Sequence, residues 1–135
     1  MNLFKATIAA LILASSLGGT RADARSRSDV IDSYTAFIGN DDLFNSNGTR
    51  LSEAAEILRQ DRANVHDRNI YQKGDEIDGF FGEVSNREKL ADMLSSGSIS
   101  NDAELMIEHG NCWVNVQIFG HGDKGDYIEV EAWRK

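Results

Sequence analysis

The hydrophobic residues of the chain recur with a helical period over most of its length and with a strand period near its end. The first series covers residues 28–38, where apolar side chains fall at helical intervals after Ser28, a suitable N-cap. A second series begins after Thr49, another suitable N-cap, and continues to about His66. The spacing predicts two amphipathic helices, the first of which ends at Gly39.

The periodicity is lost after the second predicted helix. Residues 67–82 carry three glycines among charged residues, which is typical of a long surface loop pinned by a few apolar side chains. The sequence Ser-Asn-Arg-Glu at 85–88 is a capping-box pattern, and it predicts a third helix that ends at Gly97. A shorter helix is expected to begin after Ser100 and to end at Gly110.

The last part of the chain alternates with a period of two. Two such stretches, joined by a glycine-rich turn, predict a β-hairpin. One face of this hairpin is aliphatic, whereas the other has aromatic ends and a polar middle. If Ile118 lies opposite Ile128, the same register pairs Val116 with Val130, Phe119 with Tyr127 and Trp113 with Trp133.

These elements together predict the fold class. Because an isolated hairpin is only marginally stable in water, its aliphatic face is expected to pack on the helices. The sequence therefore predicts an α+β fold with three to four short helices followed by a C-terminal antiparallel β-hairpin packed on them.

The first 24 residues follow a separate pattern. Lys5 precedes an apolar run, and the segment ends in Ala22-Asp23-Ala24, which is typical of a secretory signal peptide cleaved after Ala24. The apolar run is shorter than the roughly 20 residues of a membrane-spanning helix. We therefore expect a periplasmic or secreted protein that is not inserted in the membrane after cleavage, with residues 25–135 forming a single domain.

The net charge limits the classes of possible partner, and the cysteine content limits the source of stability. The chain has 14 basic and 22 acidic residues, a formal net charge of −8 at pH 7. Such a surface repels a phosphate backbone or an anionic membrane, so nucleic acid is not an expected partner and a cationic partner is favoured. The single cysteine, Cys112, excludes an internal disulfide, so the stability of an exported domain must come from packing.

The densest polar cluster lies on the second predicted helix. Arg59, Arg62 and His66 are spaced three and four residues apart, so they share a helix face and predict a small cationic stripe. Such a stripe could hold a carboxylate or phosphate group through charge-assisted hydrogen bonds. The alternative is that these side chains pair with Asp61, Asp67 or the acidic loop and serve only the fold.

The same region carries a resemblance. The sequences NSNG at 45–48, RL at 50–51 and RQDRAN at 59–64, followed by His66, resemble a group of small exported bacterial proteins without an assigned activity. The likeness spans about Ile38 to Phe81, with a weaker match at Gly-Asp-Tyr in the hairpin. The resemblance implies a bacterial, periplasmic origin and implies no function.

The sequence contains no complete pattern for a metal or a cofactor, and we expect neither. The oxygen-rich loop 40–53 fails the EF-hand template, which leaves open only an ion site of another kind. One cysteine and three scattered histidines lack the spacing of a zinc site. Alternation places Cys112 on the aliphatic face, which favours a buried thiol over a nucleophile, whereas an exposed thiol would favour an intermolecular disulfide.

The aromatic face of the predicted hairpin is the second candidate site. Exposed, its aromatic residues would form a patch of the kind that marks a partner or ligand surface. The alternative is that Phe80 and Phe81, in the preceding loop, fold over this face and make it a second small core. The aromatic residues of the face are Trp113, Phe119, Tyr127 and Trp133.

Three functional hypotheses fit these observations. The first is a small accessory or interaction protein without catalytic activity, which binds a protein or envelope component through the hairpin face and the region of Arg59, Arg62 and His66. The second is a small hydrolase or lyase in which His66 is the general base, Asp61 or Asp67 orients it and Arg62 holds an anionic substrate. The third is a binder of a small ligand or ion, which that ligand would stabilise against heat.

Export can be tested directly. Intact-mass spectrometry of the protein recovered from the periplasmic fraction of the producing bacterium is expected to show a chain that begins at Arg25, because the leader is removed after Ala24. A chain that retains Met1 and fractionates with the cytosol would contradict this prediction.

Overall fold

A computed structural model describes residues 27–135, so the predicted leader at 1–24 lies outside the described residues. Short 3-10 helical turns at Asn40–Leu43 and Phe80–Gly82 precede the first and second α-helices. The strands and α-helices follow one another in the order β1 (Asp29–Ile38), α1 (Ala54–Asp67), α2 (Val84–Glu88), α3 (Leu90–Ser96), β2 (Ser98–Ile99), α4 (Asn101–His109), β3 (Cys112–His121) and β4 (Lys124–Trp133).

The four strands form one mixed sheet in the order β1-β3-β4-β2. β3 pairs antiparallel with β1 and β4, and the short β2 runs parallel to β4 on its far side. Helices α1, α3 and α4 pack on one face of the sheet and bury their apolar side chains there. The predicted α+β class is confirmed. Within residues 27–135, no helix is both long enough and apolar enough to cross a bilayer.

The C-terminal hairpin has the predicted register. Ile118 lies opposite Ile128, and both side chains are fully buried on the aliphatic face. The alternation of apolar and polar residues in the two strands therefore predicts the register of the hairpin correctly. The other predicted pairs are also confirmed: Val116 with Val130, Phe119 with Tyr127 and Trp113 with Trp133.

The helix predicted over residues 28–38 is wrong, because this segment forms β1. Its apolar residues fit a period of two as well as a helical period, and Tyr34, Ala36 and Ile38 all face the core with no exposed surface. Antiparallel pairing with β3, which sets Ile38 opposite Cys112, decides between the two periods. Because that partner strand is distant in the sequence, the local pattern could not show it.

The helix predicted after Thr49 is present as α1, but it begins later, at Ala54. The side chain of Asn45 accepts hydrogen bonds from the backbone N–H groups of Asn47 and Thr49, at 3.0 and 2.9 Å. This side chain competes with helix formation and holds a turn over residues 45–49.

The remaining helices follow the predicted order, but α2 begins at Val84, before Ser85 of the predicted capping box, and its N-cap residue is Glu83. The third predicted helix is divided at Lys89 into α2 and α3, and Gly97 ends α3 as expected. α4 begins after Ser100, whose Oγ accepts a hydrogen bond from the N–H of Ala103 at 3.1 Å. Gly110 ends α4 with a positive φ of 75°, which a side chain would disfavour.

Residues 69–79, which we call the edge loop, run along the free edge of β1. The N–H of Glu76 donates to the carbonyl of Thr35 at 2.8 Å. One carboxylate oxygen of Asp75 accepts a hydrogen bond from the N–H of Phe37 at 2.7 Å. The edge loop thus satisfies backbone groups of β1 that a partner strand would otherwise take.

Candidate functional site

Arg62 lies at the centre of a buried polar cluster, not on a surface stripe. Its side chain has no exposed surface, which corrects the prediction that it shares an accessible cationic face with Arg59 and His66. Nε donates to Asp61 at 2.8 Å and Nη1 donates to Asp78 at 2.9 Å. We call this group, with Tyr34 and His66, the Arg62 cluster.

The contacts of Arg62 explain why a charged side chain can be buried here. Nη1 also donates to the backbone carbonyl of Glu76 at 3.0 Å, and the guanidinium carbon lies 3.8 Å from the centre of the Tyr34 ring. The aromatic face favours the cation and the oxygen atoms accept its protons. The structure therefore supports the alternative that Arg62 serves the fold through acidic partners.

Asp78 connects the edge loop to α1. Its Oδ1 accepts from Arg62 and lies 3.1 Å from Nε2 of His66, while Oδ2 accepts the N–H of Phe81 at 2.6 Å. Burial by itself would raise the pKa of Asp78, but the hydrogen bonds from Phe81, Arg62 and His66 outweigh it, and the pKa is lowered. Asp78 is therefore the ionised partner of Arg62.

The pKa of Asp61 is shifted in the opposite direction from that of Asp78. Burial raises its pKa to about 8, against the attraction of Arg62, so the protonated carboxyl is favoured at neutral pH. Among the described residues, no hydrogen-bond partner contacts Oδ1 of Asp61, Nη2 of Arg62 or the hydroxyl of Tyr34. In the Arg62 cluster the guanidinium thus contacts two carboxyl groups, that of Asp78, whose pKa is lowered, and that of Asp61, whose ionisation burial disfavours.

Among the described residues, neither Asp61 nor Asp67, which were proposed to orient His66, forms a hydrogen bond with it. Asp67 instead forms an ion pair with Arg87, whose guanidinium also donates to the carbonyl of Phe81. Asp78 is the carboxylate that contacts His66, and the only signal for it in the sequence is its place in a run of acidic loop residues. The side chain of His66 is 12% exposed, so little of the ring is accessible.

This arrangement limits the chemistry that the Arg62 cluster can perform. Arg62 cannot hold a substrate anion because the fold surrounds it completely. The contact between His66 and Asp78 orients a base, but a base alone does not make a hydrolase without a nucleophile or an anion-binding group beside it. The remaining arginine of the predicted stripe, Arg59, is exposed on α1.

Cys112 and the acidic residues form no further chemical site. The Cys112 side chain is fully buried, and its thiol donates to the carbonyl of Met106 at 3.4 Å, which confirms the prediction of a buried thiol. Burial raises the pKa of Cys112, against the attraction of Arg134, so the nucleophilic thiolate is disfavoured. Across residues 27–135, no group of three or more His, Cys, Asp or Glu side chains could hold a metal ion.

The outer face of the sheet, opposite the helices, carries the aromatic residues predicted for the hairpin. Phe37 of β1 joins them, with its ring centre 5.4 Å from that of Trp113. At the other end, the rings of Phe119 and Tyr127 are stacked 4.7 Å apart. All these aromatic side chains, with that of Trp133, are partly exposed.

Phe80 and Phe81 do not cover the outer face, so that alternative is wrong. Both are buried on the helix side, where Phe81 contacts Tyr34 edge-on with ring centres 6.1 Å apart. The edge loop covers only the Trp113 end. Gly74 lies against the indole ring of Trp113, and a side chain at position 74 would collide with that ring. The rest of the outer face is accessible.

The polar middle of the outer face is acidic. The side chains of Glu129 and Glu131 border a hollow of about 110 Å³, which Asn115 and Gln117 close from the β3 side. Both glutamates are exposed. The outer face thus combines aromatic side chains at its two ends with carboxylates between them.

The chain matches no protein-family model, no curated protein and no solved structure.

The role of the Arg62 cluster can be tested by stability measurements. Replacing Arg62 with methionine leaves Asp78 buried without its cation and should lower the free energy of unfolding by about 3–5 kcal/mol. The matched variant Arg59→Met, on the exposed side of α1, should change it by no more than about 0.5 kcal/mol. Urea denaturation followed by circular dichroism measures both, and equal effects of the two variants would contradict the prediction.

The raised pKa of Asp61 predicts a pH dependence of stability. Because folding raises the pKa of Asp61 to about 8, its contribution to stability is present below the unfolded pKa and is lost as the pH rises toward 8. Burial also raises the pKa of Asp42, to about 6, so the contribution of Asp42 to stability is lost over a lower pH range. Between pH 6 and pH 8, the wild-type protein should therefore lose stability relative to Asp61→Asn.

The measurement is urea denaturation of both proteins at several pH values. Every other titratable group is the same in the two proteins, so the difference isolates the contribution of Asp61. A difference in unfolding free energy that stays constant from pH 6 to pH 8 would show that Asp61 is already ionised throughout.

Proposed function

We propose that this protein is a small accessory protein of the bacterial periplasm, without catalytic activity, which binds a protein or envelope component through the outer face of its sheet. The observation that carries the proposal is the cluster of aromatic side chains on the face opposite the helices. The solvent-facing side of an antiparallel sheet normally carries polar residues. Aromatic residues in that position are instead typical of interfaces.

The arrangement of the outer face suits recognition. Aromatic side chains stand at both ends, and the pairs Phe37–Trp113 and Phe119–Tyr127 already pack against each other. Rigid aromatic anchors lose little conformational entropy on binding, so they contribute strongly to affinity. The acidic residues between the anchors would select a partner that presents positive charge.

The proposed binding surface is smaller than the surface predicted from the sequence. Arg62 is removed from the binding surface because it is buried, and Arg59 and His66 belong to α1, which packs on the opposite face of the sheet. The periplasmic location is supported by the predicted leader and by the resemblance to exported bacterial proteins. The hydrolase hypothesis loses its anion-binding residue with the burial of Arg62.

Site-specific photo-crosslinking in the producing bacterium tests the proposal. A photoreactive amino acid placed at Gln117 or Glu129, both exposed on the outer face, is expected to yield a covalent adduct of discrete mass. The same residue at Leu105 or Glu56, exposed on the helix side, is the matched control and should give no such adduct.

A second pair of variants checks the aromatic contribution. Trp133→Ala should reduce the yield of the adduct formed from position 117, because it removes an anchor of the outer face. Leu105→Ala, which removes an exposed apolar side chain of α4, should leave the yield unchanged. Adducts that form equally from both sides of the molecule, or from the helix side alone, would contradict the proposal.

A further inference from the structure

The two edges of the sheet end differently. The edge loop closes the β1 edge, whereas β2 covers only a short part of the β4 edge. β2 is short because Ser100 caps α4 immediately after Ile99, and the carbonyl of Ser100 then accepts the N–H of Glu104 within that helix. The chain therefore turns away from β4 just beyond Val130.

The geometry of the pairing shows which backbone groups this leaves open. Thr35 and Phe37 direct their backbone groups away from β3, toward the edge loop. Alternation through the antiparallel pairs of β1, β3 and β4 then directs the N–H and C=O of Val130 toward β2. Backbone direction alternates along a strand, and β4 has no irregularity between Val130 and its end. The N–H and C=O of Ala132 consequently point to the same side, beyond the last residue of β2.

A groove lies along this open stretch. It has a volume of about 610 Å³ and is lined by residues 98–100 on one side and 130–133 on the other. It adjoins the acidic hollow of about 110 Å³ on the outer face, because Ser98, Val130 and Glu131 line both. An extended backbone in the groove could therefore place a side chain in the hollow.

The charges around the groove indicate its occupant. In the register of the sheet, Glu131 lies beside Asn115 on β3 and has no cross-strand neighbour on its other side among the described residues. A lysine or arginine on an added strand would occupy that position and pair with the carboxylate. A second copy of the chain is disfavoured as the occupant, since each copy has a net charge of −8.

We infer that the free edge of β4 from Glu131 to Trp133 binds an extended, lysine- or arginine-containing segment of a partner protein by β-strand addition. The added strand pairs with the N–H and C=O of Ala132, and its basic side chain enters the hollow between Glu129 and Glu131. This mode of recognition takes affinity from backbone hydrogen bonds and specificity from alternate side chains. The inference rests on the proposed function, for which it names the class of partner.

The test uses an octapeptide in which lysine alternates with valine. Titrated into the isotopically labelled protein, it should shift the amide resonances of residues 98–100 and 130–133 in NMR spectra. Two control peptides define the mode of binding: one carries glutamate in place of lysine, and the other carries N-methyl groups on the valine nitrogens, which removes backbone donors. Both should bind at least about tenfold more weakly.

Variants of the protein separate backbone pairing from charge. Ala132→Pro removes the outward N–H at a position where an edge strand tolerates proline, and it should weaken binding about five- to tenfold. Ala132→Thr keeps the N–H and should bind as the wild type does. Glu131→Gln should weaken binding about threefold, whereas Glu104→Gln, the same change on α4, should have no effect.

The outcomes distinguish the inference from the proposed function. Equal binding of all three peptides, no binding of the lysine peptide, or unchanged affinity of folded Ala132→Pro would overturn strand addition, while the outer-face adducts would still support the proposed function. A dimer in sedimentation velocity that Ala132→Pro dissociates would identify a second copy as the occupant and overturn the inference. Peptide binding at the β4 edge without outer-face adducts would instead contradict the proposed function.

Discussion

The burial of the Arg62 guanidinium is the constraint on which much of this structure depends. An arginine does not lose its proton inside a protein, so its charge must be met by acceptors wherever it is placed. Asp78 and the carbonyl of Glu76 meet it from the edge loop, which is thereby drawn over α1. The same loop then runs along β1 and closes that side of the sheet. One buried cation therefore influences both the path of a loop and the edge at which the sheet remains open.

The two faces of the sheet have separate roles. The inner face is aliphatic except for Tyr34 of β1 and holds the helices, so its side chains are fixed by packing. The outer face is partly exposed, and it carries the aromatic residues of the hairpin together with the carboxylates of Glu129 and Glu131. Stability thus depends on one face while recognition can use the other, and changes to the outer face need not disturb the core.

The register of the hairpin strands could be predicted because its signal is local, whereas the irregularity between Phe119 and Gly120 could not. Alternation fixed the face of each residue, and one assumed pair, Ile118 with Ile128, fixed the register. β1 could not be predicted in the same way, since its apolar residues satisfy two periods and only the distant strand β3 decides between them. The fold class was right even though this element was assigned to the wrong type of structure.

The candidate site was predictable only in part for a related reason. Helical spacing placed Arg62 and His66 on one side of α1, but it could not show that the edge loop would cover that side. Asp78 and Tyr34 reach the cluster from a loop without periodicity and from the strand taken for a helix, so neither could be assigned to it. By contrast, the aromatic residues that the hairpin contributes to the outer face followed directly from alternation.

The position of Cys112 has a practical consequence. Its thiol is enclosed at the start of β3 and hydrogen-bonded to Met106, so a soluble alkylating reagent can reach it only when this part of the core opens. The rate of alkylation therefore reports the opening equilibrium, with no engineered label. In an oxidising compartment the same enclosure keeps the sulfur reduced for as long as the molecule stays folded.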